Sequence, residues 1–249
     1  MTAPKVAVAG ATGLIGKLLL AELGARQVPA VPIARSLGVD LLTGAGLAKA
    51  LEGVSAVIDA SNILTRKKTE AEAFFSTTTA NLVAAEQHAG VQHHVLLSIG
   101  GIHDPKLGWL GYYAGKRAQE ELVCANDVPY SILPSAQWFE FADNVLSGFS
   151  RGPFVLVPTW QVRPVAAKTV AQRLVALALG EPRGLVPHLV GPEAMPLKAL
   201  VRATLEHRGQ KKTLLPLPVP KTEALLGGDR PDVAGPTLAQ WLEEQPAQA

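Results

Sequence analysis

The sequence predicts an α/β protein built on a doubly wound parallel sheet, and three observations carry that reading. Short apolar runs alternate with helix-like segments through the first two thirds of the chain, the pattern of parallel βαβ units with right-handed crossovers. The first run, Val6 to Ala9, feeds three glycines, Gly10, Gly13 and Gly16, and then a helix. With 249 residues, 48% hydrophobic and 18% charged, the chain suits one large domain or a domain with a small appendage, and long disorder is excluded.

In order, Lys5 to Ala9 reads as a strand, followed by a helix to about Leu23, a second strand at Ala30 to Ala34 and a short third at Gly38 to Leu42. Gly46 to Leu51 reads as a short helix closed by Gly53, and Ala56 to Ala60 as a buried strand. Thr69 to His88 is a long helix with Gly90 as its C-terminal stop. A strand at Val91 to Ser98, a helix at Tyr112 to Ala125 and a strand at Tyr130 to Leu133 complete the alternation. A boundary falls near Gly148 to Gly152, where glycines cluster. It divides a nucleotide-binding domain, 1–150, from a small C-terminal substrate-binding portion, 151–249, packed with the first as one unit. In that portion Phe154 to Val157 is strand-like, Val165 to Leu179 helical, and Leu185 to Val190 an edge strand because of Pro187. Pro196 opens a helix to about His207. Pro216 and Pro218 confine Leu214 to Val219 to an edge strand or extended loop. Thr237 to Glu244 is a terminal helix.

The glycine loop carries the first chemical signal. Gly10 permits a tight turn, Gly13 lets the backbone approach a pyrophosphate, and Gly16 lets the helix sit against the strand. The free N–H groups and positive dipole end of that helix favour an anion. The loop residues Thr12, Leu14 and Ile15 are therefore candidate cofactor contacts with the three glycines. The spacing is G-x-x-G-x-x-G rather than G-x-G-x-x-G. Arg35 lies 19 positions beyond Gly16, where an NAD site commonly places an acid against the ribose 2′-OH. A guanidinium beside Ser36 suits a 2′-phosphate instead, which favours NADP(H) over NAD(H). Asp40, the nearest acid, lies near the adenine or caps a turn. Asp59-Ala60-Ser61-Asn62 ends a strand where a doubly wound sheet opens its ligand crevice, and Ala60, Ser61 and Asn62 are candidate cofactor contacts.

Ser98 ends the next strand, and Tyr112 and Lys116 follow it. At i and i+4 these two share a helix face, and a lysine charge beside a phenol lowers the phenol's pKa. Such a tyrosine donates a proton to a carbonyl oxygen as hydride reaches the carbon, with Ser98 bonded to that oxygen. Tyr113, three residues from Lys116, is the alternative acid. Trp138, Phe139 and Phe141 either wall an apolar substrate pocket or pack the core.

Gly10-Ala11-Thr12-Gly13-Leu14-Ile15-Gly16, Val95-Leu96-Leu97-Ser98 and the segment Tyr112 to Glu120 resemble the atypical short-chain dehydrogenase/reductases, the NmrA-like NAD(P)-binding group. The resemblance extends to Val165 to Val170 and to Leu189 to Glu193. It implies a Rossmann fold, a small C-terminal substrate portion, an NAD(P)H ligand, and catalytic roles for Ser98, Tyr112 and Lys116. Members of the atypical branch that lose the tyrosine act as redox sensors; its presence here favours an enzyme. The wider superfamily's active-site asparagine has no match, since Phe74-Phe75 occupy that part of the helix and Asn81 comes too late. Pro134 stands where related chains carry an arginine, and the resemblance still places Pro134, Ser135 and Ala136 at the border of the nicotinamide.

Composition narrows the alternatives. A net charge of +2, from 23 basic and 21 acidic residues, is too balanced for nucleic acid or an anionic membrane as partner. Arg66-Lys67-Lys68 is a solvated loop edge. Cys124 is the only cysteine, so no intrachain disulfide forms, and its expected place is a buried helix face. No apolar run approaches a membrane span and no signal-peptide pattern opens the chain, so the expectation is a soluble cytoplasmic protein. His93, His94 and His103 lack metal-ligand spacing, and no metal is expected. Ser98 lacks the G-x-S-x-G context of a hydrolase. Three functions remain: an NADPH-dependent reductase of a ketone or quinone on a small apolar molecule, an NADP(H) sensor that signals to a protein partner, and an epimerase or dehydratase with bound NAD(P).

Overall fold

The computed structural model describes residues 4–245. The elements in chain order are β1 (Val6–Ala9), α1 (Leu14–Ala25), β2 (Ala30–Ile33), α2 (Leu47–Ala50), β3 (Ala56–Asp59), α3 (Lys68–Ala89), β4 (His93–Ile99), α4 (Gly111–Cys124), β5 (Tyr130–Ser135) and α5 (Phe141–Phe149). They continue with β6 (Ser150–Arg151), β7 (Phe154–Pro158), β8 (Gln161–Val162), α6 (Ala167–Ala178), β9 (Gly184–Leu185), β10 (Leu189–Val190), β11 (Met195–Pro196), α7 (Leu197–His207), β12 (Thr213–Leu217), β13 (Asp232–Val233) and α8 (Leu238–Glu243).

The main sheet is parallel, in the order β2-β1-β3-β4-β5-β10-β13, with β9 also pairing β5. This is the Rossmann-type doubly wound arrangement that the alternating sequence predicts. The period-2 alternation of strand side chains divides the core. Val6, Val8, Ile58, Val95 and Leu97 pack with residues of α1 and α6 on one face. Ala7, Ala9 and Val57 pack with residues of α2 and α3 on the other, where Leu96 and Ile132 meet Val123 of α4. A separate cluster ties β7, α5, α7 and α8 together beyond the sheet. The main sheet also recruits β9, β10 and β13 from beyond residue 150.

Several local readings are corrected. Gly38 to Leu42 is not a strand. Arg35–Leu37 form a 3-10 turn closed by Gly38 in the left-handed region, and Gly44 and Gly46 have positive φ as well. Asp40 accepts from the Leu42 N–H at 2.9 Å, a local side-chain bond that competes with strand pairing. Leu185 to Val190 divides into β9 and β10 around Pro187, which has no N–H to give a ladder. Cys124 is exposed, because it lies at the end of α4 on the face away from Val123, which is buried. His93 and His94 are both buried at the head of β4. No helix among the described residues is long and apolar enough to cross a membrane.

Candidate active site

The glycine loop is shaped by contacts between backbones. Gly10 has φ +77°, and a Cβ there would lie 2.6 Å from the Ala60 carbonyl oxygen. The ends of β1 and β3 thus meet at the point where the sheet changes direction, the usual ligand crevice of this architecture. A Cβ on Gly16 would lie 2.2 Å from the Gly10 oxygen, so α1 starts directly against the loop. Gly13 is different. It is the N-cap of α1 in extended conformation, no side chain caps it, and the first turn holds no acid. A Cβ on Gly13 would meet only the Gly10 oxygen, at 3.4 Å. Thr12, Gly13 and Leu14 are exposed, whereas the Ile15 side chain is in the core, leaving its backbone N–H as the group it can offer. An uncapped helix start beside a bare glycine cradle fits a pyrophosphate.

Arg35 and Ser36 lie just past β2, both exposed. Among the described residues no carboxylate is paired with Arg35, unlike Arg26, Arg173 and Arg208. The guanidinium therefore remains available to a phosphate. Asp40 is occupied in capping its own turn.

The second half of the site lies at the C-terminal ends of β3, β4 and β5. Ser98 is at the end of β4, 1% exposed, and its Oγ has no hydrogen-bond partner. Alternation from His94 and Leu96 turns it to the α4 face of the sheet. It is registered opposite Pro134, with Ser135 and Ala136 beyond, all three buried. The Tyr112 hydroxyl donates to Asn62 Oδ1 at 2.7 Å. Lys116 is 4% exposed and donates to the Leu97 carbonyl at 2.7 Å and to Gln119 Oε1. One ring, Phe75, touches both helix residues: it meets Tyr112 edge-on at 5.6 Å and underlies the Lys116 ammonium at 5.0 Å.

The expected electrostatic link between these two residues is corrected. Burial raises the Tyr112 phenol, and Tyr113 beside it adds to the effect. The lysine does not lower it, because its ammonium turns inward to Leu97 and Gln119. Burial lowers Lys116 to about 8, opposed by the Asp59 and Glu120 carboxylates. Tyr113 is pushed up to about 12 by burial, with Gln137 opposing.

The apolar wall is corrected in part. Phe139 is 1% exposed and packs on Trp241 at 5.2 Å, so it is core rather than pocket lining. Trp138 is half-buried and donates its Nε1–H to Ser135 Oγ at 3.0 Å. Depressions elsewhere on the surface, one of about 360 Å³ at Arg202, Lys212 and Leu214 and one of about 290 Å³ between α3 and α4, lie outside this constellation.

Sequence reasoning placed Asp59 at the crevice end of its strand without a role, and missed Gly111 and Gly115 as packing residues. Asp59 is buried, accepting from the Ser61 N–H with Oδ1 and from Gln119 Nε2 with Oδ2, both at 2.8 Å. Gly111 and Gly115, one turn apart on α4, let that helix close on α3: a Cβ would lie 2.6 Å from the Arg66 oxygen and 2.7 Å from Ala71 backbone atoms respectively. Their i, i+4 spacing around Tyr112 was the available signal.

A family model described as NAD(P)H-binding matches residues 10–144. No curated protein sequence matches the chain. Among solved structures, the chain is similar to UDP-N-acetylglucosamine 4-epimerase from Bacillus cereus, with 17% identity, a TM-score of 0.73 and coverage of 97% of this chain and 95% of that one. It is similar to Citrobacter sp. triphenylmethane reductase complexed with NADP(H), at 19% identity and TM-score 0.62 over 86% of this chain and 79% of that one. It is also similar to a short-chain dehydrogenase/reductase superfamily protein from Agrobacterium tumefaciens with bound NAD, at 17% identity and TM-score 0.69 over 96% and 95%. At these identities the likeness is one of fold.

Proposed function

The chain belongs to the NAD(P)H-binding family, and from that premise we propose that it is an atypical short-chain dehydrogenase/reductase of the NmrA-like kind, an NADPH-dependent reductase of a ketone or quinone on a small apolar molecule. The observation that carries the reading is Ser98. A buried hydroxyl without a partner is costly, and this one sits beside the residues that hold Tyr112 and Lys116. A carbonyl oxygen entering the crevice supplies the acceptor it lacks.

NADPH, when bound, supplies a hydride from C4 of its nicotinamide. The uncapped start of α1 and the Gly10–Gly13 loop would hold the pyrophosphate, and Arg35 with Ser36 the 2′-phosphate. Ser98 donates to the substrate oxygen and orients it. Tyr112 gives that oxygen its proton, the one Asn62 accepts in the free protein. Tyr112 carries its proton at neutral pH, the state needed to reduce a carbonyl rather than to oxidise an alcohol; burial raises the phenol further, which makes it a weaker acid until the substrate oxygen gains charge from the arriving hydride. Lys116 places a positive charge under the same helix face. The retained tyrosine and its geometry favour this reading over a sensor, and the unpaired Arg35 favours NADPH.

The test is NADPH consumption across a panel of ketones and quinones, followed by variants. Tyr112→Phe should cut turnover about 10²–10⁴-fold, the usual contribution of an acid–base group, and leave NADPH affinity unchanged. Tyr113→Phe should cost far less, since Tyr113 is turned about 100° around the helix from the face that Tyr112 and Lys116 share. Wild-type turnover by Tyr112→Phe would overturn the mechanism, while tight NADPH binding without turnover on any carbonyl would favour the sensor.

A further inference from the structure

We infer that Asp59 is the positioning residue of this site, fixing the tyrosine side with one carboxylate oxygen and the lysine side with the other. The inference rests on the reductase reading for its purpose but not for its test.

The first arm runs through the turn after β3. Asp59 Oδ1 accepts the Ser61 N–H at 2.8 Å, which sets the Ala60-Ser61-Asn62 turn. Asn62 then takes the Tyr112 hydroxyl at 2.7 Å. The Ala60 carbonyl in this turn also abuts Gly10, so the same carboxylate supports the wall of the cofactor loop.

The second arm runs through Gln119. Asp59 Oδ2 takes the Gln119 Nε2–H at 2.8 Å, and Gln119 Oε1 takes the Lys116 ammonium. The order is chemically directed. A carboxylate only accepts and an ammonium only donates, so a side chain between them must donate at one end and accept at the other. An amide does this, and Asp59 fixes which way round it lies. Lys116 is thereby held against the Leu97 carbonyl, one residue before Ser98.

Asp59, Gln119 and Lys116 are all buried between β3 and α4, where a charge needs a counter-charge. The ionisable groups around the lysine are Asp59 on β3 and Glu120 on α4. The His94 and Glu86 pair, from β4 and α3, is the other buried ionic element nearby, and His94 senses both Asp59 and Lys116. Of the two carboxylates, Asp59 is the one joined to the lysine by a continuous hydrogen-bonded path.

The test follows the lysine itself. The full chain is prepared with lysine labelled with ¹³C at Cε and titrated by NMR, the Lys116 signal being identified by its loss in Lys116→Met. In Asp59→Asn its titration midpoint should fall by about one pH unit, the lower end of what an opposite charge contributes. Gln119→Met should lower it in the same direction. The double variant Asp59→Asn with Gln119→Glu should restore it, since the asparagine amide donates to the new carboxylate and the carboxylate accepts from Lys116. A purely structural role predicts no such rescue. If Asp59→Asn does not fold, Gln119→Met alone still decides the matter. A Lys116 midpoint unmoved in the folded single variants, or unrecovered in the double variant, overturns the inference. Carbonyl reduction is assayed on the same samples: a wild-type protein without turnover removes the reductase reading and leaves the lysine titration fully readable.

Discussion

Gly13→Val separates a glycine needed by the ligand from glycines needed by the fold. Gly13 has φ −74° and ψ 175°, which valine adopts without strain. The only atom near its Cβ is the Gly10 oxygen at 3.4 Å, an ordinary contact. The remaining cost is at the helix cap, where valine is poorer than glycine by about 1 kcal/mol. For a chain of this size that lowers Tm by about 2–4 °C. Binding should suffer far more. The valine side chain stands over the free N–H groups at the start of α1 and bars a pyrophosphate from them. Losing about two charge-assisted hydrogen bonds removes roughly 3–6 kcal/mol, or about 10²–10⁴ in affinity. Gly16→Ala provides the contrast. Its Cβ would lie 2.2 Å from the Gly10 oxygen, so the loop must move by roughly 1 Å to reach ordinary contact. That overpacking costs about 1–3 kcal/mol, partly offset by about 1 kcal/mol of helix propensity. Calorimetric titration with NADPH beside thermal unfolding measures both quantities. Undiminished NADPH affinity in folded Gly13→Val would remove the loop from the cofactor site.

Arg35→Ala should weaken NADPH binding by about 1–3 kcal/mol and leave NADH binding nearly unchanged; equal losses for both cofactors in parallel titrations would sink the 2′-phosphate assignment. The buried Glu86–His94 pair, joined at 2.9 Å, should make stability fall with rising pH. Burial raises Glu86 above its ordinary 4.5. His94 is also raised above 6.5, the penalty of burial being outweighed by Glu86. Below 4.5 neither group differs between folded and unfolded chains. As pH rises from there through the two raised values, the folded chain binds more protons than the unfolded one, so stability is lost. Urea unfolding at a series of pH values should show this decline relative to a Glu86→Leu/His94→Leu double variant, and parallel pH curves would refute it.

The parts of the fold and site legible in sequence are those whose cause is local. The Gly10, Gly13 and Gly16 loop needs only backbone space and a helix start. The i, i+4 relation of Tyr112 and Lys116 follows from helix geometry alone. Where sequence reading failed, the deciding contact was distant or of the wrong scale. Gly38 to Leu42 alternates like a strand, but three left-handed glycines and the Asp40 side chain bend it into turns. Lys116 shares a helix face with Tyr112, yet its reach lets the ammonium bend inward to a carbonyl on β4. Asp59 and Gln119 each lie in a segment the sequence singles out, but they stand 60 positions apart in the chain, so the bond between them was not legible. Phe139 follows the strand end in sequence but turns toward Trp241 rather than the crevice. The absence of an asparagine where Phe74-Phe75 stand was visible; that Phe75 would touch both Tyr112 and Lys116 was not.

That aromatic contact has a kinetic consequence. Each turnover under the proposed mechanism consumes the phenolic proton, which must be replaced before the next. Lys116 is shut inside, bonded to Leu97 and Gln119 with the Phe75 ring against it, and is no donor to Tyr112. Asn62 is exposed, so the route by which the tyrosine recovers its hydrogen runs outward, from bulk water along the Asn62 side. The site thus has a sealed charge on one flank and an open proton inlet on the other, and exchange with heavy water should reach Tyr112 long before it reaches the lysine.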